Sequence, residues 1–288
     1  MLQVARLAPK LLGESTPLVI DFVRSQFHPD GGFRDRAGES DLYYTVFGLE
    51  ALLALRADIS FDVVARFLGQ YGDGEGLDLV HLACLARCWA DLPESLRVDV
   101  PQGRILDRIE SHRSGDGGYH AVRGSSSGTI YACFLATGAY QDLDRPMPDA
   151  GAMLGCIQPL RASDGGYANQ VDLPIGTTPT TAAAAILLRW LDQPMEAGIS
   201  EWLLACCHKD GGFFASPMTP LPDLLSTATA LHALSCMQAD IGAIKEPTLN
   251  FIDSLWTNKG GFYGNWSDDA LDCEYTYYAL LALGHLSL

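Results

Sequence analysis

Asp210-Gly211-Gly212-Phe213, read with the Asp223-Leu224-Leu225-Ser226-Thr227 that follows it, decides the fold, because this pair of segments recurs down the chain. Further Gly-Gly-aromatic segments stand at Asp30-Gly31-Gly32-Phe33, Asp116-Gly117-Gly118-Tyr119, Asp164-Gly165-Gly166-Tyr167 and Lys259-Gly260-Gly261-Phe262. Counted from the first glycine of each pair, the last four copies fall at 117, 165, 211 and 260, in steps of 48, 46 and 49 residues. The interval from 31 to 117 is 86, two steps of 43, and Gly72-Asp73-Gly74-Glu75-Gly76 lies at its midpoint as a degenerate copy. Six units of such a period mark an architecture in which each unit buries its apolar face against its neighbours.

Each unit reads as two helices. A shorter apolar-periodic segment precedes each glycine pair, at 17–26, 61–68, 105–112, 147–158, 199–207 and 248–256, with Ser15-Thr16-Pro17 and Glu246-Pro247 as start signals. The glycines then stop the helix. A second segment follows, and its starts align as Asp41-Leu42-Tyr43-Tyr44-Thr45, Asp78 to Leu82, Ser125 to Thr129, Thr177 to Thr181, Asp223 to Thr227 and Asp272 to Thr276. Each opens on a residue type suited to an N-cap and continues apolar on nearly every side, as in Ala182 to Leu191 and Ala279 to Leu286. Six buried helices alternating with six amphipathic ones predict an all-α fold, an inner ring inside an outer ring, with residues 1–288 forming one domain.

These motifs resemble the α/α toroid of the protein prenyltransferase β-subunit and squalene-cyclase superfamily, and Asp272-Cys273-Glu274-Tyr275-Thr276-Tyr277-Tyr278 is similar to the inner-helix signature of the prenyltransferase branch. The resemblance implies an α6/α6 barrel of six helix-hairpin repeats. It also implies a zinc site, with Asp and Cys at the start of the fifth inner helix and His near the start of the sixth. Asp223 matches the Asp, but Leu225 stands in the Cys position and Tyr275 in the His position. Zinc wants about four N, S or O ligands, so Zn²⁺ is not expected unless the ligands are rearranged. The diphosphate clamp that the family implies is missing as well. Thr177 and Ser226 replace its His and Tyr, and Phe214 to Pro222 contains no basic residue. The cyclase motif Asp-x-Asp-Asp is absent. Lanthionine cyclases and complement-type thioester domains share the toroid, but their motifs are absent too.

Thirty-five acidic against 19 basic side chains give a formal charge of −16, which argues against nucleic acid and anionic membranes as partners. No apolar run is long enough to span a bilayer, and the first residues lack the pattern of a signal peptide, so a cytoplasmic location is expected. The eight cysteines read as reduced core thiols.

The residues three and six places after each inner-helix start are expected to face a central cavity, which selects Tyr44, Phe47, Tyr131, Tyr275 and Tyr278, with Glu274 beside them. A tyrosine-rimmed apolar pocket suits an isoprenoid or other long apolar ligand. Asp223, His81 and Asp272 are the candidate catalytic groups, His81 as a proton donor whose pKa is raised by buried Asp41 and Asp78. Asp268, Asp269 and Asp272 have a spacing that could bring Mg²⁺ to a diphosphate, or they cap the coming helix. Three readings stand: a prenyltransferase-like or terpene-cyclase-like protein without the usual zinc site, a non-catalytic scaffold or lipid-binding toroid, and a zinc-dependent prenyltransferase β-subunit with rearranged ligands. The partner that the family implies is a helical-repeat subunit; a homodimer is the other possibility.

Overall fold

The computed structural model describes residues 1–194 and 198–288. Two short helices, α1 (Leu2–Ala5) and α2 (Pro9–Leu12), precede the repeats. The outer helices are α3 (Thr16–Ser25), α5 (Phe61–Gly69), α7 (Gln102–Glu110), α9 (Met153–Ile157), α11 (Ile199–Ala205) and α13 (Gly242–Ser254). The inner ones are α4 (Leu42–Ala54), α6 (Leu79–Asp91), α8 (Ile130–Asp142), α10 (Thr178–Trp190), α12 (Leu224–Cys236) and α14 (Cys273–Leu286). Inner helices pack in sequence order, and α14 returns to α4, closing the ring. The architecture is an α/α toroid; among the described residues its only sheets are the two-residue ribbons β1–β2 (Phe33–Arg34 with Ser40–Asp41) and β3–β4 (Phe213–Phe214 with Pro222–Asp223).

The motif residues explain one another. The aromatics Phe33, Tyr119, Tyr167, Phe213 and Phe262 are buried between the layers. The Phe33, Tyr167 and Phe213 backbone N–H groups donate to Oγ1 of Thr45, Thr181 and Thr227 at 2.9, 2.8 and 2.9 Å. Thr45 and Thr227 pass the bond on to the carbonyls of Asp41 and Asp223, each at 2.6 Å. A buried amide that would otherwise be orphaned is thereby satisfied, an orphan being worth about 1–3 kcal/mol. The Thr of the Asp-x-x-x-Thr motif therefore joins a loop to its helix rather than serving a ligand.

Each inner helix is capped from its own N-terminus: Asp41, Asp78, Thr129, Thr177, Asp223 and Asp272 all accept from first-turn amides. Two sequence expectations fail. The third inner helix starts after Thr129, not at Ser125: the Gly128 N–H is held by Asp116 and the Gly115 N–H by the Ser125 carbonyl, so residues 125–128 stay in the loop. Cys133, not Thr129, then takes the Thr role and accepts from the Tyr119 N–H at 3.3 Å. The last outer helix begins at Gly242 and carries Pro247 inside it, so Glu246-Pro247 is not its start. Proline there costs one ladder N–H.

The ring closes through Gly260, the first glycine of the sixth pair. Its φ is +90°, and a Cβ on it would lie 2.1 Å from the Leu18 carbonyl oxygen at the start of α3. We expect Gly260→Ala to cost at least ~2 kcal/mol in denaturant unfolding, because it is both strained and obstructed. Gly103→Ala, in open space on α7, should change stability by no more than about 1 kcal/mol, in the favourable direction. Equal effects of the two would show that the seam does not hold the ring.

Candidate functional site

All six inner helices start on one face. The first-turn amides of α8, α10 and α12 donate to Asn169 Oδ1, the Ala215 carbonyl and the Gly264 carbonyl, each in the loop of the following unit. At the closing seam Arg36, from the first loop, donates to Asp272 Oδ2 at 2.8 Å and to both oxygens of Asp268. The helix C-termini gather at the opposite end, where α1 packs against α14 and α4.

The helices enclose a central cavity of about 340 Å³, at the small end of the roughly 300–1,000 Å³ common for ligand pockets. On α8 its wall is Tyr131, Leu135, Gly138 and Asp142, which lie two, six, nine and thirteen residues beyond the cap Thr129. The same register supplies Tyr43, Phe47 and Glu50 on α4, Val80, Cys84 and Arg87 on α6, and Leu225, Thr229 and His232 on α12. This is the i, i+4, i+7 stripe of one helix face. Tyr43 and Glu50 are then about 10 Å apart along the axis. Tyr131 is 45 % exposed while lining the wall, so the opening lies beside the start of α8.

The residues selected from sequence divide by this register. Phe47, Tyr131 and Tyr278 line the cavity. Tyr44, His81 and Tyr275, three places past their caps, do not. Tyr275 instead lies under the Arg36 guanidinium, 5.5 Å from its ring centre. His81 sits at the mouth, with Nδ1 2.8 Å from Asp78 and Nε2 3.4 Å from Asp41. Asp78 is exposed rather than buried. Burial lowers the His81 pKa, but the bond to Asp78 and the charges of Asp78 and Asp41 outweigh it, so the net shift is upward.

Asp223 is a cap with both oxygens used: Oδ1 accepts from the Ser226 N–H at 2.7 Å and Oδ2 from its hydroxyl at 2.8 Å. Burial pushes its carboxyl above the usual range. Leu225 brings no donor atom and Tyr275 is turned to Arg36, so the residues around Asp223 do not fit a zinc ion. The magnesium expectation also fails to find a site. Asp269 is exposed, and Asp268 and Asp272 are bridged by Arg36, a cation already in place. Among the described residues no three His, Cys, Asp or Glu side chains are grouped to hold a metal.

Sequence reasoning selected Glu274, which stands behind Tyr43 rather than in the lining itself, but missed Tyr43 and the polar floor of the cavity. Near the mouth the Tyr43 hydroxyl donates to Glu274 Oε1 at 2.6 Å, and burial pushes the Glu274 carboxyl up against the opposing pull of that bond. At the floor stand Glu50, Arg87, Asp142 and His232. Arg87 Nε donates to Asp142 at 2.9 Å and lies 3.7 Å from Glu50. His232 Nδ1 and His285 Nε2 are 3.0 Å apart. The available signal was a Glu, an Arg and a His, each nine places past its cap in an otherwise apolar helix.

A family model for the prenyltransferase alpha-alpha toroid domain matches residues 14–67 and 180–287, more than half of the chain. The chain belongs to the prenyltransferase α/α-toroid family. The unmatched stretch of this toroid holds the degenerate glycine unit and the unit with Cys133 in the Thr position. Three solved structures share the fold. A type II terpene cyclase from Scytonema, in complex with geranylgeranyl dihydroxybenzoate as substrate, is 12% identical over 97% of each chain, with a TM-score of 0.64. A D-mannose isomerase is 14% identical over 97% of this chain and 98% of its own, at 0.65. The Candida albicans protein geranylgeranyltransferase-I complexed with GGPP is 16% identical over 97% of this chain and 80% of its own, at 0.55. No curated protein matches the sequence.

Two outcomes follow from this geometry. As a pure cap, Asp223 should tolerate Ser with little change, whereas Asp223→Ala should lose on the order of 1 kcal/mol; a Ser variant destabilised as much as Ala would refute the role. Burial, then the positive charge of the Met1 amine, lowers His232 to about 3 and His285 to about 4; His285 adds to the shift of His232. Both fall below the ordinary 6.5, so between pH 6.5 and 4 the unfolded chain takes up protons that the folded chain does not. Stability should therefore drop as pH falls through that window. Chemical denaturation should show a shallower drop in His232→Gln/His285→Gln, and an unchanged slope would exclude the pair as its source.

Proposed function

We propose that this toroid binds an isoprenoid or other long apolar ligand in its central cavity and handles it as a terpene-cyclase-like or prenyltransferase-like protein. The observation that carries the reading is the middle of the wall, where Val46, Phe47, Phe134, Leu135, Ile186 and Tyr278 leave a ligand little to meet but aliphatic and aromatic carbon. A sugar at that level would leave its hydroxyls without partners, at a cost of about 1–3 kcal/mol for each buried unpaired group. Support also comes from the two neighbours crystallised with geranylgeranyl compounds.

The rings of Tyr43, Phe47 and Tyr278 pack edge-on and tilted against one another, at 4.9 and 5.4 Å between centroids. Such a cluster stabilises a cationic intermediate through its quadrupoles. Glu274, reached through the Tyr43 hydroxyl, is the group we assign to accept a proton from that intermediate: the Tyr43 oxygen takes it while passing its own proton to Glu274. A second reading, a non-catalytic carrier, is favoured by Asp223 and Asp272, whose carboxylates are already committed to helix caps and Arg36.

Calorimetric titration with C10 to C20 polyprenyl alcohols and diphosphates, with and without Mg²⁺, tests the binding. Ala183→Trp, which fills the cavity at mid-height, should weaken affinity at least tenfold with an unchanged melting temperature. No binding by the unmodified protein would end the proposal. If Glu274→Gln keeps affinity but loses product formation, the enzyme reading holds; if the unmodified protein binds and forms no product, the carrier reading replaces it.

A further inference from the structure

The third unit departs from the repeat at two positions at once. In the other units that carry a glycine pair, the second glycine packs on an aromatic ring of the outer helix that follows around the barrel: Gly32 on Phe67, Gly166 on Trp202, Gly212 on Phe251 and Gly261 on Phe22. The backbone N–H of the loop aromatic is held in those units by Thr45, Thr181, Thr227 and Thr276. In the third unit Gly118 packs on Cys156 of α9 instead, and Cys133 of α8 holds the Tyr119 N–H. Ring and threonine have thus been exchanged together for the one pair of side chains that can bond covalently to each other. The two Sγ atoms are 3.9 Å apart. Gly118 covers both, since a Cβ on it would stand 2.5 Å from the Cys156 sulfur and 3.1 Å from that of Cys133.

We propose that Cys133 and Cys156 are a redox modification site, a dithiol in this structure that a peroxide closes to a disulfide. Disulfides of proteins in reducing compartments are mostly of this transient kind. Cys133 reacts first, because the Tyr119 N–H and the Cys156 thiol both bring donors to its sulfur. The bond from Cys156 lowers the Cys133 pKa, burial opposes it and the Tyr119 N–H adds to the lowering, so the net shift is downward. The Cys133 thiolate attacks one peroxide oxygen, the O–O bond breaks and hydroxide leaves, to be protonated to water. The Cys156 sulfur then attacks the sulfenic acid so formed, whose OH departs with the Cys156 proton as a second water. Two thiols have lost two electrons, and the peroxide has gained them. Both sulfurs are buried, but the cover is thin. A Cβ on Gly128 would lie 2.7 Å from the Cys156 sulfur, and residues 121–127, which lead into that glycine, are mostly exposed. The new bond ties α8, which carries Tyr131 at the cavity opening, to α9.

Exposure of the folded protein to hydrogen peroxide, followed by alkylation in denaturant and peptide mass spectrometry, tests this. A peptide linked through Cys133 and Cys156 should form at least tenfold in excess of any other pairing among the eight cysteines. Dithiothreitol should return both thiols to the alkylated pool. Cys133→Thr, which installs the side chain the other units use, should leave Cys156 open to alkylation after the same treatment, and Cys156→Ala should do so for Cys133. If both thiols of the unmodified protein stay open to alkylation, they are inert core fillers and the proposal falls. It falls equally if they are consumed without the linked peptide, or if other cysteines pair as readily.

Discussion

The closest approach on which the molecule depends is between a glycine and the backbone at or near the start of the next unit's outer helix. A Cβ on Gly31 would stand 2.2 Å from the Val63 carbonyl oxygen, one on Gly211 1.9 Å from that of Pro247, and one on Gly117 2.6 Å from that of Ala152. Gly31, Gly117, Gly211 and Gly260 therefore fix where the following outer helix can lie, whereas a Cβ on Gly165 would meet only the Trp202 ring, at 3.8 Å. The degenerate second unit has no such glycine contact with α7. It reaches that helix through Arg108, which donates to both oxygens of Asp73 at 2.9 Å. A charged pair replaces a backbone contact, the angular step survives, and the ring still closes.

The repeat was legible because its determinants are local and chemically distinctive: glycine pairs, a buried aromatic, a cap and a threonine at fixed offsets. The cavity was less legible because a helix offers several faces, and period alone does not say which one turns inward. Choosing the third and sixth positions past the cap captured Phe47 and Tyr278 but pointed Tyr44, His81 and Tyr275 inward when they serve the mouth and the seam. The inward stripe runs through the second, sixth and ninth positions. Tyr131 was selected through a compensating slip, since the third helix was started four residues early and its apparent sixth position is its second. Glu50 and Arg87 were overlooked because buried charge is rare enough to be discounted in an apolar helix, although that rarity is itself the signal.

The two ends of the barrel are used differently. At the mouth the carboxylates are consumed by structure: Asp41, Asp78, Asp223 and Asp272 each hold first-turn amides, and Asp272 with Asp268 also anchors the Arg36 seam. Groups so committed are poor candidates for chemistry, since recruiting one would uncap a helix or open the ring. Inside, Tyr43 links Glu274 and Tyr278, and the floor gathers Glu50, Arg87 and Asp142, none of which caps a helix. Charge that no helix cap requires therefore increases from the mouth inward, the reverse of what the sequence alone suggested.

That gradient carries an energetic argument about whether the toroid is only a scaffold. Glu50 and Asp142 share one arginine in a low-dielectric interior, where desolvation offsets much of the ion-pair attraction and apolar replacements of similar volume are often neutral or stabilising. Ring closure does not require these groups, because the seam is made at the other end by Gly260, Arg36 and Asp272. A barrel needed solely for its shape would be more stable with leucine and phenylalanine at the floor, as it already has isoleucine at Ile186 and leucine at Leu281 in the same register. The charged floor is a local cost in stability that ring closure does not explain.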